Sequence, residues 1–233
     1  APAQPQLHLE CAVSLREAGR FAEAEEIIEQ CLAHAPERPD LLCERALLRL
    51  HTGRYREAWP DYEARLRGTA ARLPRVDAPR WEGERIGGKR LLLLAEPGMG
   101  DTLWAARFVA MLARRGADIT LRCAAALHPV LAHMPVHLAP MREAGAPGET
   151  PDFHCPLLSL PGVVDPRGLT IPEPVSIAIP EDSRAMMRRR IAPYARCFRI
   201  GVVWSGRGRQ RADARASLPL ERLLPLASLP GAQ

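Results

Sequence analysis

A glycine turn lies between two structured patterns: Ala95-Glu96-Pro97-Gly98-Met99-Gly100-Asp101-Thr102. The apolar run Leu91 to Leu94 precedes it and a helical pattern follows. Such a turn gathers backbone N–H groups and the positive end of a helix dipole, so its elementary chemistry is anion binding. Two phosphate motifs can be tested against it. The dinucleotide fingerprint fails, because Gly98-x-Gly100 is followed by Leu103 where a third glycine belongs. The P-loop fails twice, with Ala95 at its first glycine and Asp101 at its lysine. A reversed charge beside a triphosphate costs on the order of several kcal/mol, which argues against an ATPase. Asp101 before Thr102-Leu103 also reads as a helix N-cap, a role worth about 0.5–2 kcal/mol.

A second glycine turn, Ser205-Gly206-Arg207-Gly208-Arg209, follows the apolar run Arg199 to Trp204, and Arg211 and Arg215 extend its positive charge. Guanidinium groups grip phosphate oxygens bidentately, so the turn fits a diphosphate; a solvated basic loop is the alternative. No Asp-x-Asp pair is present to hold a metal-bound diphosphate. The cysteines (Cys11, Cys31, Cys43, Cys123, Cys155, Cys197) form no C-x-x-C, and His154-Cys155 is adjacent rather than spaced for a metal. Reduced, mostly buried thiols are expected.

The elements that must position these turns form a βαβ unit. Leu91 to Leu94 reads as a central parallel strand, Thr102 to Arg115 as a helix ended by Gly116, and Asp118 to Cys123 as the next strand. Beyond Pro161 the prolines 166, 172 and 174 predict loop, with a short strand over Ser176 to Ile179. Glu181 to Ile191 predicts a helix with an acidic first turn and a basic end, Arg188 to Arg190 forming its solvated face. Arg199 to Trp204 predicts a buried strand opening a second Rossmann-like domain, and a helix should start near Leu220.

The N-terminal part repeats. Gly19-Arg20-Phe21 recurs 34 residues later as Gly53-Arg54-Tyr55, with Ala12, Ala24 and Leu32 recurring as Ala46, Ala58 and Leu66. Each copy holds a helical pattern, a glycine turn, an aromatic residue and a second helical pattern, and Pro36 closes the first copy. This resembles the tetratricopeptide repeat over Leu7 to Arg67. Arg45 and Arg49 depart from it by occupying usually apolar positions, and Pro60 sits early in its helix. Two copies are fewer than a solenoid needs, so the pair either continues upstream or docks on the next domain. The resemblance implies a protein-docking groove, with a structural spacer as the alternative. Glycines and prolines from Gly68 to Gly88 mark a linker, in which Trp81 should anchor against a neighbour.

Net charge is +5 and the pI about 9.1 over 233 residues, with Lys89 the sole lysine. The arginine clusters lack interleaved aromatics, which disfavours nucleic acid as a partner. No apolar run spans a bilayer, and residues 1–10 resemble no signal peptide, so a cytoplasmic location is expected.

Trp81-x-Gly83, Gly88-Lys89, the Leu94 to Thr102 turn, Asp152-x-His154-Cys155-Pro156-Leu157-Leu158-Ser159-Leu160-Pro161, Gly201-Val202-Val203-Trp204-Ser205-Gly206 and Ser217-Leu218-Pro219-Leu220 are together similar to tetratricopeptide proteins with a glycosyltransferase-like region. That group is related to the heptosyltransferases and the O-linked N-acetylglucosamine transferases. The resemblance implies an α plus α/β chain: two repeats at 1–68, a linker at 69–88, a Rossmann-like acceptor-side domain at 89–192, and the start of a nucleotide-sugar domain at 193–233. It implies metal-independent transfer from a nucleotide sugar, needing no cofactor, to a hydroxyl on a protein or glycan. Asp101 would be the general base, since the acceptor hydroxyl must lose its proton as it attacks. Gly98, Gly100, Thr102, His154 and Ser159 would line the acceptor side. Ser205, Gly206, Arg207, Arg209, Arg211 and Arg215 would face the donor, although Ala216 stands where an arginine before Ser217 is usual. A second domain ending at Gln233 would lack strands, so residues 1–233 alone are expected to be inactive. A non-catalytic repeat scaffold is the competing reading.

Overall fold

In the computed structural model of the protein, residues 5–68, 73–141, 150–169, 172–177, 179–205 and 217–229 are described. The chain divides into two compact units, 1–178 and 179–233. The first joins helical hairpins to a parallel sheet, an α plus α/β architecture.

Helices α1 (Pro5–Glu17), α2 (Phe21–His34), α3 (Pro39–His51) and α4 (Tyr55–Tyr62) make the two hairpins. Gly19 and Gly53 take the left-handed conformation (φ 77° each) that lets the chain leave one helix and re-enter the next. Ala12, Ala24, Ala46 and Ala58 are fully buried, as close helix approach requires. Arg45 and Arg49 are matched by acids. Arg45 forks onto Asp61 (2.7 and 3.0 Å), Arg49 reaches the same carboxylate at 2.8 Å, and both also bond Glu29. Pro60 lies inside α4, where it can donate no backbone hydrogen bond. Just beyond, the chain tightens into a 3-10 turn, Glu63–Arg67.

The sheet holds β1 (Arg90–Leu94), β2 (Asp118–Cys123), β3 (His137–Pro140) and β4 (Phe153–Pro156) in the order β3-β2-β1-β4, all parallel. Helix α5 (Met99–Arg114) makes the crossover from β1 to β2. Leu91 to Leu94 are buried and flanked on both edges, so this strand reads as unbroken leucine instead of alternating. Two short helices follow, α6 (His128–Leu131) before β3 and α7 (Leu160–Val164) after β4. Part of the sequence-assigned linker belongs to the sheet edge. Arg80 bridges beside His154, and backbone bonds run from Trp81 N–H to His154 O (2.8 Å) and from His154 N–H to Pro79 O (3.0 Å). Trp81 is buried, its indole N–H donating to the Glu84 carbonyl. Of the short strand expected over Ser176 to Ile179, residues 176, 177 and 179 take no strand pairing, and residue 178 lies outside the described residues.

The second unit contains α8 (Glu181–Ile191), whose Arg188 pairs with Glu181 across its face and none of whose residues is buried. The buried strand expected at Arg199 to Trp204 is absent. Residues 199–205 are not in a strand, the Trp204 carbonyl accepts from the Leu218 N–H at 2.9 Å, and Val203 is 96% exposed. The helix expected near Leu220 is two 3-10 turns, Leu220–Arg222 and Leu224–Ser228, the second with Pro225 at its start.

Candidate functional site

The strand order places β2 and β3 on one side of β1 and β4 on the other. That reversal is a topological switch point, and open α/β sheets take ligands in the crevice beyond the strand C-termini there. Glu96 follows β1 and Ser159 follows β4, so both stand at this crevice. The group lying between them is the guanidinium of Arg65, from the 3-10 turn after α4.

Arg65 spends all five of its donors. Nε and Nη2 form a fork on the Glu96 carboxylate (2.8 and 2.7 Å). Nη2 also donates to Ser159 Oγ at 2.9 Å, and Nη1 to Glu63 (3.0 Å) and the Tyr62 carbonyl (3.1 Å). Its charge stacks on the Tyr62 ring, 4.3 Å from the centroid. The Glu96 carboxylate also accepts from the Leu158 N–H at 3.4 Å, and Glu63 pairs with Arg80. Side-chain exposure is 11% for Arg65 and 5% for Glu96, so the pair is desolvated. Burial disfavours the charge of Arg65, but Glu96 and then Glu63 outweigh it and raise its pKa. In Glu63 burial is likewise outweighed, by Arg65 and Arg80, and its pKa is lowered.

Two residues beyond Glu96 the chain turns into α5. Gly98 has φ 129° and is itself the N-cap, so the helix starts at Met99 instead of Thr102. Asp101 is therefore the third helical residue and not the cap expected from sequence; no side chain caps this end. Its carboxylate folds back over the Cα of Gly98 and remains exposed. The Thr102 hydroxyl is buried and donates to the Gly98 carbonyl at 3.0 Å. Gly100 faces open space, and Met99 and Trp104 are exposed beside Asp101 on the first turns of the helix.

Gly98, Gly100, Asp101 and Thr102 thus share one turn, with Ser159 across the crevice under Arg65. His154 lies elsewhere, along the outer edge of β4. Its Nδ1 is 2.9 Å from the Ala78 carbonyl, and it lines a cavity of about 440 Å³ with Leu66, Leu73, Arg80 and Leu94. Ser205 belongs to the second unit. Gly206, Arg207, Arg209, Arg211 and Arg215 fall outside the described residues. Sequence reading missed Arg65 and Glu96 as site residues. The usable signal was an acid directly after a fully apolar strand, at the place where such sheets keep polar groups. Among the described residues, no three His, Cys, Asp or Glu side chains converge as a metal-binding set, and no helix is long and apolar enough to cross a membrane.

Residues 5–50 match the tetratricopeptide repeat family model. A stretch of 67 residues, 28% of the chain, is 37% identical to protein FlbA of Caulobacter vibrioides and covers 11% of that protein's length. No solved structure matches the chain.

Proposed function

We propose that the chain carries the acceptor-side half of a sugar-transfer site, with Asp101 as the general base, and that its repeats dock a protein partner. One observation carries the enzymatic part. Asp101 stands exposed just beyond the C-terminal end of the central strand, on the glycine turn that opens α5. A carboxylate there can take the proton of an acceptor hydroxyl as it attacks the anomeric carbon of a nucleotide sugar, assistance worth roughly 10²–10⁴ in rate. The arginine-rich segment 207–215 would hold the donor diphosphate. The tetratricopeptide match supports the docking role.

The test uses the full-length gene product with UDP-, GDP- and ADP-sugars. Calorimetric binding of one of them, followed by transfer that Asp101→Asn abolishes at an unchanged melting temperature, is the expected result. Full activity of Asp101→Asn removes the base. Failure to bind any nucleotide sugar leaves the second reading, a non-catalytic repeat module that binds protein, which the match over residues 5–50 favours.

A further inference from the structure

We infer that Arg65 is a positioning residue: the repeat segment fills the switch-point crevice of the sheet with its own guanidinium and so presets the turn that presents Asp101. Three observations converge. Arg65 bridges the ends of two adjacent strands, Glu96 after β1 and Ser159 after β4, in one desolvated fork. Glu96 is only two residues from Gly98, whose left-handed backbone sets the start of α5. Between Glu96 and Thr102 there is no side-chain cap, and among the described residues the bonds of this stretch, from Thr102 N–H and Oγ1 to the Gly98 carbonyl, are internal to it.

The ligand place of an open α/β sheet is therefore taken internally, and the rim beside it is left to the reacting carboxylate. A nucleotide or dinucleotide seated between β1 and β4 would have to expel a buried ion pair, which directs any ligand to the Asp101 side of the turn. The repeats, on this view, are part of the site and not a detachable arm. The role given to Asp101 rests on the sugar-transfer reading; the positioning of the turn does not.

The experiment is amide hydrogen exchange on the intact protein. Arg65→Ala would strand a buried carboxylate and endanger folding, so the informative variants are Arg65→Lys, Glu96→Gln and Ser159→Ala. Lysine keeps the charge but cannot form the fork, and glutamine keeps the shape but weakens the pair. Arg16→Lys is the control, because it loosens the buried Arg16–Glu44 pair inside the repeats without touching the turn. The first bonded amide of the turn is that of Thr102, so exchange at 102–104 should rise about tenfold, the change that accompanies loss of one charge-assisted hydrogen bond. Amides of Leu91 to Leu94 and of α2 should not follow, and Arg16→Lys should leave 102–104 unchanged. Exchange at 102–104 that stays constant, or rises only in step with the whole sheet, overturns the proposal. Local loosening in a protein that transfers no sugar would sink the transferase reading and leave the positioning intact.

Discussion

The carboxylate of Asp101 lies against Gly98 at the place where a side chain would begin, so a Cβ on Gly98 would collide with it. The two residues constrain each other, because Gly98 also holds φ 129°, a conformation side chains rarely adopt. Gly98→Ala should therefore cost about 1–3 kcal/mol through strain and displace Asp101 as well. Asp101→Asn should change stability by less than about 1 kcal/mol, the size of a charge–dipole interaction in a first helical turn. Thermal melts of both variants check this. A Gly98→Ala protein as stable as wild type would mean that the turn is not held as described.

Gly100 behaves oppositely. It is helical, and a Cβ there meets nothing within 4 Å. Helix propensity alone predicts that Gly100→Ala stabilises the protein by roughly 0.5–1 kcal/mol. If a substrate must approach the turn closely, the same change lowers its binding. A higher melting temperature paired with weaker binding would assign this glycine to ligand access; a lower melting temperature contradicts the open space.

The seam between repeats and sheet should be sensitive to single methyl groups. A Cβ on Gly162 would stand 2.9 Å from the Trp59 ring, and one on Gly168 2.5 Å from that of Tyr55. Gly168 also has φ 63°, so alanine there adds backbone strain to the clash. Gly162→Ala is the cleaner probe and should cost about 1–3 kcal/mol as overpacking. Trp59→Leu in the same chain should recover part of that loss, and a double-mutant cycle measures the coupling. Purely additive effects would show that α4 does not pack on α7 this closely.

Much of this arrangement was legible in local sequence. The 34-residue period, with its glycines and alanines, specifies the hairpins because each unit repeats one local packing problem. The leucine run and the glycine turn specify the start of the sheet in the same way. Arg65 was not legible, since its partners Glu96 and Ser159 lie 31 and 94 residues away and no spacing rule joins them. The start of α5 was misread because a glycine with positive φ, not a capping side chain, begins it. Arg199 to Trp204 has the composition of a central strand, but strand preference reflects packing on a half-buried surface, and here the segment stays largely exposed.

Acid should open the same seam. Burial would raise the pKa of Glu63, yet Arg65 and Arg80 together hold it below the ordinary carboxylate value. A group whose folded pKa is lowered contributes stability above its unfolded pKa, roughly 4.3 for glutamate, and loses it as pH falls through the folded value. Stability should thus decline below the ordinary carboxylate range, and Glu63→Gln should flatten that decline while reducing stability at neutral pH. Urea midpoints measured across acid pH give the slopes. A Glu63→Gln profile parallel to wild type would remove Glu63 as the titrating group.

The thiols offer an independent check on the packing of both halves of the first unit. Cys155 sits in β4, where burial pushes its pKa up to about 12. Burial also raises Cys123 in β2 and Cys31 in α2, whereas Cys11 on α1 is exposed. Thiolate is the reacting species, so both protonation and access protect the buried three. Iodoacetamide under native conditions should label Cys11 first and leave Cys31, Cys123 and Cys155 unmodified until unfolding. Arg65→Lys should leave this pattern intact, because its effect is confined to the turn. Early labelling of Cys155 in that variant would instead mean that the fork between Arg65 and Glu96 supports the whole β1–β4 pair.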